Sequence, residues 1–473
     1  MRTTGSPQPS FADIELHAQG LALDATLQTI TSVLDEHPGL VDLVLADLQR
    51  GLRRPRTGRP GLTVEQVLRT FVLQRLKNWD LRELRERIAD GYTLRIFTGF
   101  FSAPVPRHDA LHRAFLRLTP ATVRAINDLI IRWAVAQGLE DGTKLRADTT
   151  VVETNIHYPT DSTLLWDGVR VLTRLVRRLQ AQRPDLPVRF VDRTRSARRR
   201  MQEIQRLTPR QRQDQHVPKY RALIAIAAAV VAAARTVVAA AETMPCAEPL
   251  AAAQCAGLRA EITTYCDRTA RVLEQARRRV LDGETVPNED KLFSIFEPHT
   301  DLIKRGKAQK PVEFGHKVFL AESGHGLITD YRVLNGNPID ASEVAPALDR
   351  HRTLFATPLA LCAMDRGFYS PQALQTCKTA GVGLECIPQR GGHKSPARTA
   401  YEKSRRFRAG QRFRAGIEGR ISVLFRGRGM KRCLLRGRER FELFVGAAVL
   451  ANNLLIVADL VRRRVARGRR RAA

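Results

Sequence analysis

The chain has 473 residues, of which 43% are hydrophobic and 27% are charged. This composition excludes an intrinsically disordered protein, and the length allows two to four domains with substantial cores. Lysine and arginine outnumber aspartate and glutamate by 78 to 48, a formal net charge of +30, which favours a polyanionic partner and nucleic acid in particular.

The first part of the chain predicts a helical domain. Residues 1–20 lack clear periodicity and are expected to form a flexible arm, and residues 21–140 are expected to be helical. Thr63 with Gln66 has the spacing of a capping box, and Asp80 can cap the next helix. The two predicted helices are equally consistent with a DNA-reading helix-turn-helix and with a plain helical bundle. Thr119-Pro120 predicts the start of a further helix and Gly138 its end.

Strand and helix patterns alternate after residue 140. A strand rich in Thr and Val is predicted over 143–156, and a long helical stretch rich in Arg and Ala follows it. Later strands are predicted at 312–320, 327–334, 358–364 and 382–387, with helices at 342–353, from Ser370-Pro371, within 397–426 and at 441–461. This order indicates an α/β core, over 141–162 and 305–461, that is interrupted by a helical insertion at 163–304 and followed by a basic tail at 462–473.

Cysteine usage and hydropathy indicate an intracellular protein. The seven cysteines show no CxxC spacing and are expected to be buried or free thiols in a reducing cytosol. The most apolar stretch, 222–241, is mostly alanine and is interrupted by Arg235, which favours a buried helix over a membrane span. We therefore expect a cytoplasmic protein without membrane association.

Three acids have local sequences suited to metal-dependent chemistry on nucleic acid. Asp148 lies within the predicted strand Leu145-Arg-Ala-Asp-Thr-Thr-Val-Val152, Asp365 ends the apolar strand before Arg366-Gly367, and Glu418 lies in a very basic segment. Rigid strands are good mounts for metal ligands, and a few carboxylates suffice for Mg²⁺. Each acid alone is more often a loop cap or an ion-pair partner.

The blocks around these acids resemble those of bacterial insertion-sequence transposases of the DDE class, most closely the ISNCY-type group. The resemblance extends from about residue 60 to 460 and includes the helical region that begins at Thr63-Val-Glu-Gln-Val-Leu-Arg69. The three blocks that carry it are Lys144-Leu-Arg-Ala-Asp-Thr-Thr-Val-Val-Glu-Thr-Asn-Ile-His-Tyr-Pro-Thr-Asp-Ser162, Ala363-Met-Asp-Arg-Gly-Phe-Tyr-Ser370 and Arg412-Phe-Arg-Ala-Gly-Ile-Glu-Gly-Arg-Ile-Ser422.

The resemblance implies an RNase H-like mixed-sheet core with a helical insertion after its first strand, and an N-terminal helical domain for DNA binding and dimerisation. It implies that Asp148, Asp365 and Glu418 are catalytic and bind two Mg²⁺ ions, for which Mn²⁺ can substitute. The implied reaction cuts DNA at the terminal inverted repeats of the element and joins the 3′-hydroxyl ends to target DNA. A homodimer in the synaptic complex and a nucleoid-associated location in bacteria are also implied.

The glutamate block departs from the family pattern at two positions. Gln411 stands where the group often has Tyr, and Phe425 stands where it often has Lys, with Arg426 beside it. Arg414 precedes Glu418 by four residues and is therefore expected on the same helical face.

The arginines near the acids are the expected DNA contacts, namely Arg366, Arg414, Arg420 and Arg426. Two alternatives stay open at this point. One is an RNase H-like nuclease without strand transfer, and the other is an inactive DNA-binding derivative of a transposase.

Overall fold

The computed structural model of the protein describes residues 4–5, 9–18, 23–55, 57, 61–244, 248–304 and 312–472. The chain forms two compact units. The first unit combines Met1–Glu153 with His316–Ala473, and the second unit consists of Thr154–Gly315. The domain boundaries expected from the sequence differ from these units in detail and stay predictions.

The N-terminal part of the first unit is helical, as the sequence predicts. The helices that the structure describes there are α1 (Phe11–Ala18), α2 (Ala25–Asp35), α3 (Gly39–Gln49), α4 (Val64–Lys77), α5 (Leu81–Asp90), α6 (Tyr92–Thr98), α7 (His108–Phe115) and α8 (Pro120–Ala136). The capping box of Thr63 and Gln66 is confirmed, as are the caps at Asp80 and Thr119. Gly138 has a φ of +62°, so the chain turns where α8 was predicted to end.

Residues 1–20, which are expected to form a flexible arm, include helix α1 in their described part, and the arm itself stays a prediction. Ser10 and Asp13 cap each other at the start of the helix, with Ser10 N donating to Asp13 Oδ2 at 2.8 Å. The Tyr92 hydroxyl donates to Asp13 O at 2.9 Å, and Asp13 is buried. These bonds fix a segment whose sequence shows no periodicity.

The structure of helices α4 and α5 is compatible with both interpretations that the sequence left open, a helix-turn-helix and a plain helical bundle. Asn78, Trp79 and Asp80 join the two helices, and Asn78 is left-handed with a φ of +55°. Helix α4 is largely buried, whereas α5 buries only Leu84 and Ile88. The helix-turn-helix and the plain bundle both fit this packing.

The strands confirm a mixed α/β architecture with a mixed sheet. The described strands are β1 (Lys144–Thr154), β2 (Asp301–Lys304), β3 (Val312–Ser323), β4 (Ile328–Val333), β5 (Leu361–Ala363), β6 (Glu385–Cys386) and β7 (Arg432–Cys433). In the first unit the sheet order is β3, β1, β5 and β6, with β4 paired to β3 and β7 paired to β1. Strands β1, β5 and β6 run parallel, whereas β3 and β4 are antiparallel. An RNase H-like identity for this core stays a prediction.

The second unit is a helical bundle, which confirms the helical pattern predicted for this part of the chain. Its helices are α9 (Asp161–Gln182), α10 (Thr194–Gln205), α11 (Pro209–Thr243) and α12 (Pro249–Ala276). Their apolar faces form one core that contains Leu172, Leu223, Ile262 and Cys266. Strand β2, which the sequence did not predict, pairs antiparallel with Val312–Gly315 at the start of β3.

The other α-helices in the described part of the chain belong to the first unit, whereas a short π-helix, Arg277–Leu281, follows α12 in the second unit. These α-helices are α13 (Val344–Leu354), α14 (Pro371–Thr379), α15 (Pro396–Lys403), α16 (Arg405–Gly427) and α17 (Arg438–Ala472). Helix α17 packs through residues such as Leu450 and Leu454 into the core of the N-terminal helices. The helix continues beyond residue 462, where Arg463 pairs with Asp459 at 2.7 Å, and the basic tail expected at 462–473 stays a prediction.

Two helices, α11 and α17, are long and apolar enough by composition to cross a membrane. In the most apolar window of α17, 72% of the residues are buried inside the protein, against 39% for α11. Core helices of soluble proteins satisfy the same criterion, so these helices are weak evidence for a membrane. The six cysteines that the structure describes are buried and form no disulfide with one another, while Cys246 lies outside the described residues.

Candidate active site

The three acids predicted from sequence lie around one guanidinium, that of Arg414. Its Nη2 is 3.4 Å from Asp148 Oδ2 and 3.8 Å from Asp365 Oδ2, and its Nη1 is 2.9 Å from Glu418 Oε1. The prediction that Arg414 and Glu418 lie on the same helical face is thereby confirmed, and the structure adds that they form an ion pair. The catalytic and metal-binding roles of the three acids stay predictions.

Strand β1 presents Asp148 to helix α16 because successive side chains of a strand point to opposite faces. Leu145 and Ala147 are fully buried in the core on one side of the sheet. Arg146 and Asp148 point to the other side, where the Arg146 Nη1 donates to Phe413 O on α16 at 2.8 Å. A buried strand with period-two alternation therefore places one carboxylate under α16.

Asp365 is held at the end of β5 by its own backbone. It caps a short 3-10 helix, Arg366–Phe368, with Oδ1 accepting from Gly367 N at 2.7 Å. Asp148 is held in the same way, with Oδ1 accepting from Thr149 N at 2.7 Å. Each aspartate thus has one oxygen engaged by the backbone and keeps Oδ2 directed at Arg414.

A buried ion-pair network fixes α16 to the sheet. Glu322 on β3 accepts from Arg146 Nε at 2.8 Å and from Arg420 Nε at 2.9 Å, and its side chain is 1% exposed. A Cβ at Gly416 would lie 2.1 Å from Arg146 Nη1, so a larger residue there would have to displace this guanidinium. Arg420, predicted to contact DNA, therefore pairs with a buried acid and lies half-buried in this structure.

The two departures from the family pattern have structural explanations. Gln411 Nε2 donates to Met364 O at 3.2 Å and to Cys386 O at 2.5 Å, so it ties α16 to β6 and to the residue before Asp365. Phe425 packs beside the apolar cluster under α17. The neighbouring Arg426 is exposed and donates to Ser422 Oγ at 2.5 Å, and Arg366 is also exposed.

A fourth carboxylate, Asp340, was missed by sequence reasoning. Its Oδ1 accepts from Thr149 Oγ1 at 2.9 Å and lies 2.7 Å from Lys317 Nζ. A Cβ at Gly367 would be 2.9 Å from both Asp340 Oδ2 and Asp365 Oδ1, which shows how close these two acids come. Asp340 follows a loop without any local motif, so only the fold reveals it.

The environment of Asp148 disfavours its charged form. Burial raises the pKa of Asp148 to about 6, and the neighbouring Asp365 and Asp340 add to the increase. The N–H of Thr149 and the guanidinium of Arg414 act in the opposite direction. Asp148 is therefore mostly ionised at pH 7 but binds a proton more tightly than an exposed aspartate.

The site has an excess of negative charge. Four carboxylates meet here, and among the described residues the cations that contact them are Arg414 and Lys317. With all groups ionised, two negative charges stay unbalanced. Hard oxygen ligands with excess negative charge are the donor set that Mg²⁺ and Mn²⁺ prefer, so these residues fit the predicted cofactor.

A second acidic group in the same unit is less suited to chemistry. Ligand atoms of Glu140, Asp141 and His325 lie within 4.8 Å of one another. Glu140, however, accepts hydrogen bonds from the backbone N–H groups of Asp141, Gly142 and His325 and from Ser323 Oγ. Its carboxylate is thus already engaged in holding the loop before β1.

Comparison with known proteins gives one match. Residues 21–117 match a family model described as Transposase domain (DUF772). Comparisons with curated proteins and with solved structures gave no significant match. The matched span contains helices α2 to α7 and supports a transposase family. The acids of the candidate site lie outside it.

Proposed function

We propose that this chain, with its transposase-domain match, is a DDE transposase of the ISNCY type with an RNase H-like core. It cuts duplex DNA at terminal inverted repeats and joins the 3′-hydroxyl ends to target DNA. The observation that carries the proposal is the meeting of Asp148, Asp365 and Glu418 around Arg414. The transposase-domain match supports it independently, because that span contains none of these residues.

Asp148, Asp365 and Glu418 would hold two Mg²⁺ ions, or Mn²⁺ in their place. When bound, such ions neutralise charge on the attacking and leaving oxygens of phosphoryl transfer. The Oδ2 atoms of both aspartates, which face Arg414, are the ligand atoms that the backbone does not engage, since each Oδ1 accepts from a backbone N–H. Glu418, with a side chain 65% exposed, can change rotamer and complete the site from α16.

The proposal extends to partners and location. The net charge of +30 supports duplex DNA as the substrate, with Arg366 and Arg426 exposed near the acids to contact phosphates. Arg414 would turn from the carboxylates to a phosphate, and Arg420 would contribute from its position beside Glu322. We further propose a homodimer in the complex with two DNA ends, in the bacterial cytoplasm.

A strand-joining assay tests the function and separates it from the nuclease alternative. The protein is given a duplex that carries its inverted repeat with a pre-cut 3′-hydroxyl end, a target plasmid and Mg²⁺ or Mn²⁺. We expect joined products, because the site that cuts the strand also activates the end. Cutting of uncut ends without joining would favour a nuclease, and DNA binding without either reaction would favour an inactive derivative.

Arg414 is expected to compete with divalent metal ions for the carboxylates. Its guanidinium contacts all three acids, and its buried Nε–H has no hydrogen-bond partner among the residues that the structure describes. Removing this positive charge should strengthen Mn²⁺ binding about tenfold, which corresponds to roughly 1.4 kcal/mol of relieved electrostatic competition. Calorimetric titration of Arg414→Gln with Mn²⁺, without DNA, measures this.

Arg412→Gln is the matched control for that titration, because Arg412 is exposed on the same helix. The control should bind Mn²⁺ as the wild type does. Weaker binding by Arg414→Gln than by the wild type would mean that Arg414 supports the ligands instead of competing for them.

A further inference from the structure

A row of arginines lines a groove in the second unit, on the surface of α9. Arg170, Arg174 and Arg178 follow one another at intervals of four residues and are exposed, with Arg177 beside them. An α-helix rises about 1.5 Å per residue, so the row extends roughly 12 Å along one face. The groove has a volume of about 410 Å³, and Asp192 and Thr194 at the start of α10 form its other wall.

Two of these arginines are fixed by neighbours. Arg170 Nη2 is 2.8 Å from the buried Asp167, and its guanidinium lies 4.8 Å from the ring centre of Trp166. Arg177 pairs with Asp192 at 2.7 Å, and Asp192 also accepts from Thr194 N and Thr194 Oγ1. Asp167 and Asp192 thus hold two of the arginines in place.

The other two arginines, Arg174 and Arg178, have no acidic partner among the residues that the structure describes. No acidic side chain within the described ranges lies within ion-pair distance of Arg174 or Arg178, both of which are exposed. The whole segment is basic, with eleven arginines against five acids from Asp161 to Gln205. Two of those acids, Asp161 and Asp167, are buried, so the accessible surface is more basic than the count indicates.

We propose that this groove binds the phosphate backbone of duplex DNA, separately from the acidic site of the first unit. The inference rests on the proposed function, which makes duplex DNA the substrate. Duplex DNA carries one charge per about 1.7 Å of its axis, so a row of guanidiniums about 12 Å long faces several phosphates. A small anion would need donors that converge on one point, whereas these side chains stand in a row along an open groove.

The test measures DNA binding and not catalysis. The full-length protein is titrated in EDTA against a labelled duplex of about 30 base pairs and arbitrary sequence, and anisotropy gives the binding constant at several salt concentrations. Each phosphate contact contributes about 0.9 to the slope of log K against log salt. We expect the double variant Arg174→Gln/Arg178→Gln to lose about 1.8 from that slope.

The matched control is Arg221→Gln/Arg271→Gln, which removes the same charge from exposed positions on α11 and α12. Its slope should equal that of the wild type. The groove would be ruled out as a DNA site if Arg174→Gln/Arg178→Gln kept the wild-type slope. It would also be ruled out if both double variants lost the same amount from the slope. The proposal would also be overturned if Arg174→Gln/Arg178→Gln lost binding to duplex RNA but kept its binding to duplex DNA. Failure of the wild type itself to bind duplex DNA would instead contradict the proposed function.

Discussion

Replacing Asp148 with Asn is expected to reduce both strand cutting and strand joining by about 10³-fold or more. Metal ions supply several kcal/mol of transition-state stabilisation in phosphoryl transfer, and each 1.36 kcal/mol is a factor of ten in rate. Of the three acids, Asp148 has the most rigid backbone position, because it lies in the middle of a buried strand. The rates of cutting and joining in Mg²⁺ and in Mn²⁺ measure the effect.

A comparison of Tm between the Asp148→Asn variant and the wild type shows whether the variant is folded, and the pKa of Asp148 predicts how that comparison depends on pH. The pKa of Asp148 is raised to about 6 in the folded protein, so the folded chain binds this proton more tightly than the unfolded chain. Stability from this group is therefore present at low pH and is lost as pH rises from about 4 to about 6. At pH 7 the neutral Asn should unfold at a Tm no lower than that of the wild type.

Asp349→Asn is the control for this experiment. Asp349 is on α13, its side chain is 73% exposed, and it lies 3.6 Å from Arg352. This variant should cut and join DNA as the wild type does. Full activity of Asp148→Asn in either metal would contradict the assignment of the site.

Replacing Glu322 with Ala is expected to cause the largest loss of stability among the predicted variants. Removing one partner of a buried ion pair costs about 3–5 kcal/mol, since it leaves uncompensated charge in a poorly solvated position. Here the guanidiniums of Arg146 and Arg420 would both lose their buried acceptor. Differential scanning calorimetry should show a clear decrease in the Tm of the first unit.

The Glu322→Ala substitution should also disturb the acidic site. Helix α16 carries Glu418 and is held to β1 and β3 through this network, so metal binding should weaken along with stability. Glu442→Gln is the control, because Glu442 forms an ion pair of 2.9 Å with Arg438 at a side-chain exposure of 39%. Partly exposed pairs of this kind contribute about 0–1 kcal/mol. Equal Tm values for the two variants would contradict the structural role of Glu322.

Local patterns in the sequence were sufficient to locate many elements. The capping box at Thr63, the Thr119-Pro120 start and the alternating strand around Asp148 depend on neighbours within a few residues, so they can be read directly. The pairing of Arg414 with Glu418 follows from helical spacing alone. For the same reason the α/β class could be predicted.

Features that depend on distant residues could not be predicted in this way. Asp340 joins the acidic site because Thr149 and Lys317 hold it there, and neither is near it in sequence. Glu322 was overlooked because nothing in its local sequence indicates that two distant arginines meet it. Gln411 appeared as a departure from a pattern, yet its amide binds the carbonyl groups beside Asp365.

The division of the chain also sets an order of assembly during synthesis. The second unit places 162 residues, Thr154–Gly315, between β1 and the part of β3 that enters the first unit. At about 5–20 residues per second, the ribosome takes roughly 8–30 s to make that stretch. Strand β1 thus exists for many seconds before its neighbours β3 and β5. Helix α17, which packs with α2, α4 and α8, is made after the other described elements, so the core begun by the first helices is completed only once α17 has been made.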